Sequence, residues 1–273
     1  MKIINNYCQS KQSFTSTRMR TLDKAGNVLC CNYTNLNRED LDWQKFARFL
    51  QNRYFRQSRV KINLYGCSDG SDAYTLTINL IKELGTGAKK FFPILASDIS
   101  EPVIKTAKEG KILLHSKDLD YLDKLGARHY FERDYNEPVQ IMRNIEFFPH
   151  HVSKQLRETV DFSIKDVNKS VKNHDFSDEV FIFRNGWTFN TLENQNQLAR
   201  NLHTNSNNKT LVVIGQSDLF KSDASDALQR NCFRGIMTDI FTRKETDYPS
   251  KSIGQPMTSP LYPKEFILFE KRL

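Results

Sequence analysis

The sequence predicts an α/β protein built on a mostly parallel sheet with helices on both faces. Three observations point there. From residue 60 onward, short apolar runs alternate with segments of helical periodicity. The run Ile62-Asn63-Leu64-Tyr65 ends in Gly66-Cys67-Ser68-Asp69-Gly70 and opens into a helix-like segment. About thirty residues later a second apolar run, Phe91 to Ser97, ends in Asp98.

Residues 1–37 are polar and read as irregular. Residues 38–56 read as a helix, because Leu41, Phe46, Phe49 and Leu50 fall on one face. A strand over 60–65, a helix over 72–84, a strand over 91–97 and a helix over 100–109 follow. Ser100 suits an N-cap and Pro102 the first turn. Residues 111–157 are mixed, with a helix near 118–125. Strands at 159–164 and 179–184, a helix at 190–203 and a strand at 209–215 complete the alternation. A last strand, antiparallel to the rest, is expected at 264–270, where the chain reads Glu265-Phe266-Ile267-Leu268-Phe269-Glu270.

Composition narrows the class. Of 273 residues, 38% are hydrophobic and 26% charged, which suits a soluble protein with a real core. The N-terminus shows no secretory signal, and no apolar run is long enough to cross a membrane. Cysteines 8, 30, 31, 67 and 232 form no CxxC pair, so reduced thiols in a cytoplasm are expected. Cys30 and Cys31 read as packed side chains. His150-His151 has no third ligand at metal spacing, and no metal is expected. The net charge of +8 favours acidic partners. Nucleic acid is the less favoured one, because the chain has no arginine-rich arm and no interleaved aromatic and basic signature. The oligomeric state is not legible.

The strand ends carry the chemistry. Two glycines let the backbone turn sharply beside a ligand, and the following helix N-terminus favours an anion such as a carboxylate. An acidic residue at the tip of the next strand, Asp98, suits the two hydroxyls of a ribose. A nucleoside cofactor is therefore expected. Asp166 and the pair Arg184-Asn185 lie at further strand ends.

These pieces resemble the CheR-type chemotaxis protein methyltransferases, over about residues 34–218. Thr34-Asn35-Leu36-Asn37-Arg38-Glu39 looks like a shortened form of that family's Thr-Asn…Phe-Phe-Arg segment. Gly66-Cys67-Ser68-Asp69-Gly70 with Ala73-Tyr74-Thr75 is similar to its Gly-Cys-Ser-Thr-Gly-Glu-Glu-Pro-Tyr-Ser loop. Ala96-Ser97-Asp98-Ile99-Ser100, Ala107-Lys108-Glu109-Gly110, Tyr130-Phe131, Phe183-Arg184-Asn185 and Gly215-Gln216-Ser217-Asp218 match further motifs in order. The departures are equally specific: Ser71 and Asp72 replace paired glutamates, Ala73 replaces proline, and Trp187-Thr188-Phe189 puts Thr188 at a tyrosine position.

The resemblance implies a class I methyltransferase, a Rossmann-like seven-stranded fold, with a short N-terminal helical region at 1–58, a methyltransferase domain at 59–273 and a variable insert at 126–158. The family's small receptor-docking subdomain stands where that insert lies. It implies S-adenosylmethionine as cofactor and a protein glutamate, on a receptor, as acceptor. Gly66, Ser68 and Gly70 would face the methionine part, with Asp72 reaching its ammonium. Asp98 would hold the ribose hydroxyls, Asp166 and Val167 would border the adenine, and Cys67 and Ile99 would be further cofactor-binding residues. Arg38, Arg184, Asn185 and Thr188 would serve the reaction, and Trp187 would line the methyl pocket or pack in the core. Two other readings stand beside this one: a cofactor-binding regulatory module with impaired chemistry, and a methyltransferase acting on RNA or a small molecule.

Overall fold

A computed structural model describes residues 20–22, 28–31, 34–38, 40–142, 145–236 and 267–272. The central sheet has seven strands: β3 (Ile62–Tyr65), β4 (Ile94–Asp98), β9 (Val160–Ile164), β10 (Val180–Phe183), β11 (Leu211–Ile214), β12 (Phe233–Gly235) and β13 (Leu268–Lys271). Their spatial order is β12-β13-β11-β10-β3-β4-β9. The five strands from β9 to β11 are parallel, and β13 runs antiparallel between β11 and β12. The antiparallel last strand is as expected, although residues 264–266 lie outside the described residues.

Strands β3, β10 and β11 are buried along their whole length. A parallel strand covered on both faces needs such continuous apolar runs. The covering helices are amphipathic. Helix α1 (Trp43–Arg53) buries Trp43, Phe46, Ala47 and Leu50. It is shorter than the 38–56 expected, because the Asp42 side chain caps it by accepting from Lys45 N–H. Helix α2 (Ser71–Leu84) follows the glycine turn, and α3 (Glu101–Glu109) follows β4 with Ser100 at its N-cap position. Helix α4 (Ser116–Leu125) opens with a capping box between His115 and Asp118. Helix α5 (Leu192–Thr204), between β10 and β11, starts at a capping Thr191.

Three features were not foreseen, the first being the short edge strand β12 of the central sheet. Residues 20–31 contain a short antiparallel pair, β1 (Arg20–Leu22) with β2 (Val28–Cys31), where irregular chain was expected. The mixed stretch after α3 forms a separate antiparallel sheet from β5 (Lys111–Leu114), β6 (Phe131–Arg133), β7 (Gln140–Met142) and β8 (Ile145–Val152). Strand β8 is its spine, pairing with β5, β6 and β7.

From β3 the chain builds outward through β4 to β9, then returns to the other side of β3 for β10 and β11. The order reverses between β3 and β10, and open α/β sheets bind ligands in the crevice beyond the strand ends at such a point.

Candidate cofactor and acceptor site

A cavity of about 450 Å3 lies at that reversal, within the roughly 300–1,000 Å3 common for cofactor sites. Its wall comes from the carboxyl ends of successive strands. Tyr65 ends β3 with Gly66 and Ser68 after it, and Asp98 ends β4 with Ile99 after it. Lys165, Asp166, Val167 and Asn168 follow β9. Arg184, Asn185, Gly186, Thr188, Phe189 and Asn190 follow β10, and Ser217 and Lys221 follow β11. The Thr34–Arg38 segment closes the remaining side.

The two glycines of the first loop do different work. Gly66 has φ +66° and lines the cavity, and a Cβ there would stand 3.2 Å from the Phe183 ring. Gly70 has φ +92°, but its missing Cβ makes room for Phe162, 2.7 Å away, rather than for a ligand. Cys67 is also behind the wall. Its thiol is buried, and burial pushes its pKa well up, which leaves it inert.

Asp98 is buried and already engaged. Its Oδ2 accepts from Ser68 N–H at 3.0 Å and its Oδ1 from Ser100 N–H at 2.9 Å. Burial pushes its pKa up, and the N–H groups of Ser100, Ser68 and Ile99 pull it back. An ionised carboxylate has about four lone-pair sites, so each oxygen keeps capacity for one more donor. Asp166 lines the cavity and also caps the short helix Val167–Ser170 by accepting from Asn168 N–H at 2.9 Å.

Arg184 and Asp72 depart most from expectation. The Arg184 side chain is 1% exposed. It donates to Asp72 Oδ2 at 2.8 Å and to Asp40 Oδ1 at 2.5 Å, and its guanidinium lies 4.7 Å over the Trp43 ring. Burial opposes its charge, yet Asp40 and Asp72 outweigh burial and push its pKa up. Asp72 is thereby committed to arginine, with Arg38 Nε a further 3.8 Å neighbour, and is not among the cavity-lining residues. Asp72 was expected near an ammonium and Arg184 near the substrate; here the two form a buried ion pair that ties β10 to α2 and to the segment before α1, while Arg184 still lines the cavity and Asp72 Oδ1 accepts no hydrogen bond among the described residues. Arg38 does reach the cavity and donates to Thr34 Oγ1 at 2.8 Å. Trp187 packs in the core beside Phe183, with ring centroids 5.9 Å apart.

Three contributors were not foreseen. Asp40 joins the Arg184 pair and accepts from Gln216 N–H at 2.9 Å. Asn35 lines the cavity with a buried Oδ1 that accepts no hydrogen bond among the described residues. Asp218, fully buried, accepts from Asn185, Trp187 and Gly215 N–H groups at 2.6, 3.1 and 2.9 Å. Asn35 and Asp218 stood inside matched segments, Thr34-Asn35 and Gly215-Gln216-Ser217-Asp218, but carried no role there, and Asp40 had no sequence signal.

A family model described as CheR methyltransferase, SAM binding domain, matches residues 32–234. The chain belongs to the CheR methyltransferase family. Its cofactor is S-adenosylmethionine, and the fold is the Rossmann-like one of class I methyltransferases. Among solved structures, a TehB-like SAM-dependent methyltransferase from Corynebacterium glutamicum is similar at 13% identity, over 85% of this chain and 89% of that one, with a TM-score of 0.42. Magnesium protoporphyrin IX methyltransferase from Synechocystis with bound SAM is similar at 14% identity, over 74% and 72%, with a TM-score of 0.38. No curated protein sequence matches the chain. Among the described residues no helix is long and apolar enough to cross a membrane, and no cluster of His, Cys, Asp and Glu has the makings of a metal site.

The cavity of this CheR family member fits its cofactor on three counts. Asp98 has acceptor capacity for two hydroxyls, Gly66 keeps the loop clear of side chain, and Asn35 Oδ1 is an acceptor awaiting a donor such as an ammonium.

Gly186 offers a steric test of the wall. Its φ of −108° is open to any residue, but a Cβ there would lie 2.1 Å from the Phe183 ring. Gly186→Ala is expected to destabilise the protein by about 1–3 kcal/mol through overpacking, read as a lower denaturant midpoint. An unchanged midpoint would show that the Phe183 ring moves freely.

Proposed function

We propose that this chain transfers a methyl group from S-adenosylmethionine to a side-chain carboxylate of an acidic protein, a receptor being the kind of acceptor its family resemblance suggests. The observation that carries the reading is the makeup of the cavity wall. It has no histidine or cysteine among its described lining residues, and burial pushes Tyr65 up to about 12. Its acids, Asp98 and Asp166, are engaged with backbone N–H groups. An amine or hydroxyl acceptor needs a base to remove its proton. A glutamate, with a pKa of about 4.3, is an anionic nucleophile at neutral pH and needs none.

The bound cofactor supplies an electrophilic methyl on a sulfonium. The protein's own part is alignment and exclusion of water. Asp98 would receive the ribose hydroxyls, Ile99 and Val167 would offer apolar surface to the base, and Asp166 would accept from its amine. Arg38, Lys165 and Lys221 place positive charge around the cavity and attract an acidic acceptor. Asn185 and Thr188 form the wall between these two groups. Thr188 lacks the ring that a tyrosine would add, so cofactor binding is expected to be better retained than transfer rate. That observation favours the second reading, a cofactor-binding regulatory module.

Methyl-labelled cofactor incubated with cell protein fractions tests the reading. The expected product is a base-labile methyl ester whose formation falls as salt rises. A base-stable methylated lysine or nucleotide would place the acceptor in another class, and cofactor binding without transfer would favour the regulatory module.

A further inference from the structure

We propose that Asp218 is a positioning residue: its buried carboxylate holds the Asn185–Thr188 turn in the shape that forms the cavity wall between cofactor and acceptor. This rests on reading the cavity as the cofactor site.

The turn is unusual in its backbone. Asn185 has φ +58°, a left-handed conformation that asparagine tolerates better than most residues but does not prefer. Something must hold it there, and two contacts do. Asp218 Oδ2 accepts from Asn185 N–H and Gly215 N–H, while Oδ1 accepts from Trp187 N–H. In return Asn185 Oδ1 accepts from Ser217 N–H at 3.0 Å. The loops after β10 and β11 are thus locked to each other, and a Cβ on Gly215 would lie 2.3 Å from Asn185 Oδ1. Asn185, Gly186, Thr188 and Ser217 then face the cavity, while Asp218 itself does not line it.

Burial, opposed by the three N–H donors and by Arg184, pushes the Asp218 carboxyl up to about 7. The charged group acting on it is Arg184 at the end of β10, itself paired with Asp40 before α1 and Asp72 on α2, and Lys221 stands three residues further along its own helix. An aspartate in the unfolded chain ionises near ~3.9. The stability that Asp218 confers is therefore whole below that value and is lost as pH rises toward about 7. Ionisation strengthens two hydrogen bonds to the turn, from Asn185 and Trp187, and one to Gly215, while lowering global stability.

Calorimetric titration with S-adenosylhomocysteine tests this on the wild type, Asp218→Asn and Asp218→Glu. At about pH 8, D218N is expected to bind about tenfold more weakly, the loss of one ordinary hydrogen bond. Wild-type affinity falls toward about pH 6, D218N lacks that component, and D218E, which keeps the charge, restores it. D218N also loses the matching decline in thermal midpoint between about pH 4 and about pH 7. Wild-type affinity and pH profile in a folded D218N would overturn the proposal. Should D218N fail to fold, a flat wild-type profile does the same. Hydrogen exchange over residues 184–190 is the ligand-free readout. Selectively faster exchange in D218N supports the assignment, and unchanged exchange overturns it. Absence of homocysteine-analogue binding in the wild type would instead strike the cofactor reading, with the exchange result still deciding Asp218.

Discussion

Asp98→Ala is expected to weaken S-adenosylhomocysteine binding by about two to four powers of ten. Two ribose hydroxyls lose a charged acceptor, each on the order of 1.5–3 kcal/mol. The carboxylate also ties the glycine turn to α3, through Ser68 and Ser100. Removing it therefore loosens the loop that follows β3 as well as the ligand. Asp98→Asn separates the two effects, because it keeps the shape and one acceptor oxygen, and it should fall between wild type and alanine. Calorimetry gives the affinities, and denaturant midpoints establish that the variants are folded. A folded alanine variant with unchanged affinity would mean that Asp98 is only a loop anchor.

Arg184→Met should be the most destabilising single change near the site, by about 3–5 kcal/mol, since it strands two carboxylates in the interior. Asp40 and Asp72 converge on one guanidinium that is 1% exposed, so neither gains adequate hydration when it goes. Lysine is not an adequate substitute, because a point charge cannot serve two acceptors with a planar fork. Urea unfolding reads the loss. Adding Asp72→Asn to Arg184→Met should return part of it, since one stranded charge is neutralised. A small effect of Arg184→Met would show that water reaches the pair.

What the sequence could reveal depended on whether a signal was local. Asp98 was legible because a carboxylate ending an apolar run is a contiguous pattern. So was the glycine turn, although its two glycines look alike in sequence and differ in space: Gly66 borders the cavity and Gly70 makes room for Phe162. Arg184 was legible as a strand-end residue but not in its role. Its partners lie 144 and 112 positions away in the chain, and no local pattern announces a pairing at that range. Six strands of the central sheet followed from alternation, because their apolar runs are contiguous, whereas β12 is three residues long and carries no such run. The small antiparallel sheet did not follow, because β6 and β7 are three residues long and carry no countable period. Trp187 was open between cavity and core. Its backbone N–H bond to Asp218 and its packing on Phe183 turn the ring inward, and both depend on tertiary neighbours.

The same limit applies to the charged groups. Asp40 stands outside every motif, yet it joins the loops after β10 and β11 through Arg184 and Gln216. Asp218 ends a matched motif that says nothing of its surroundings, and it is fully buried. In both cases the fold, not the neighbouring sequence, decides what the carboxylate meets.

The most direct measurement is photo-crosslinking of methyl-labelled S-adenosylmethionine followed by peptide mapping. Label is expected in the segments that line the switch-point cavity, above all those carrying Asn35 to Arg38 and Asn185 to Asn190, with competition by unlabelled S-adenosylhomocysteine. Label on the separate antiparallel sheet, or no competable label on the folded protein, would contradict that cavity as the cofactor site.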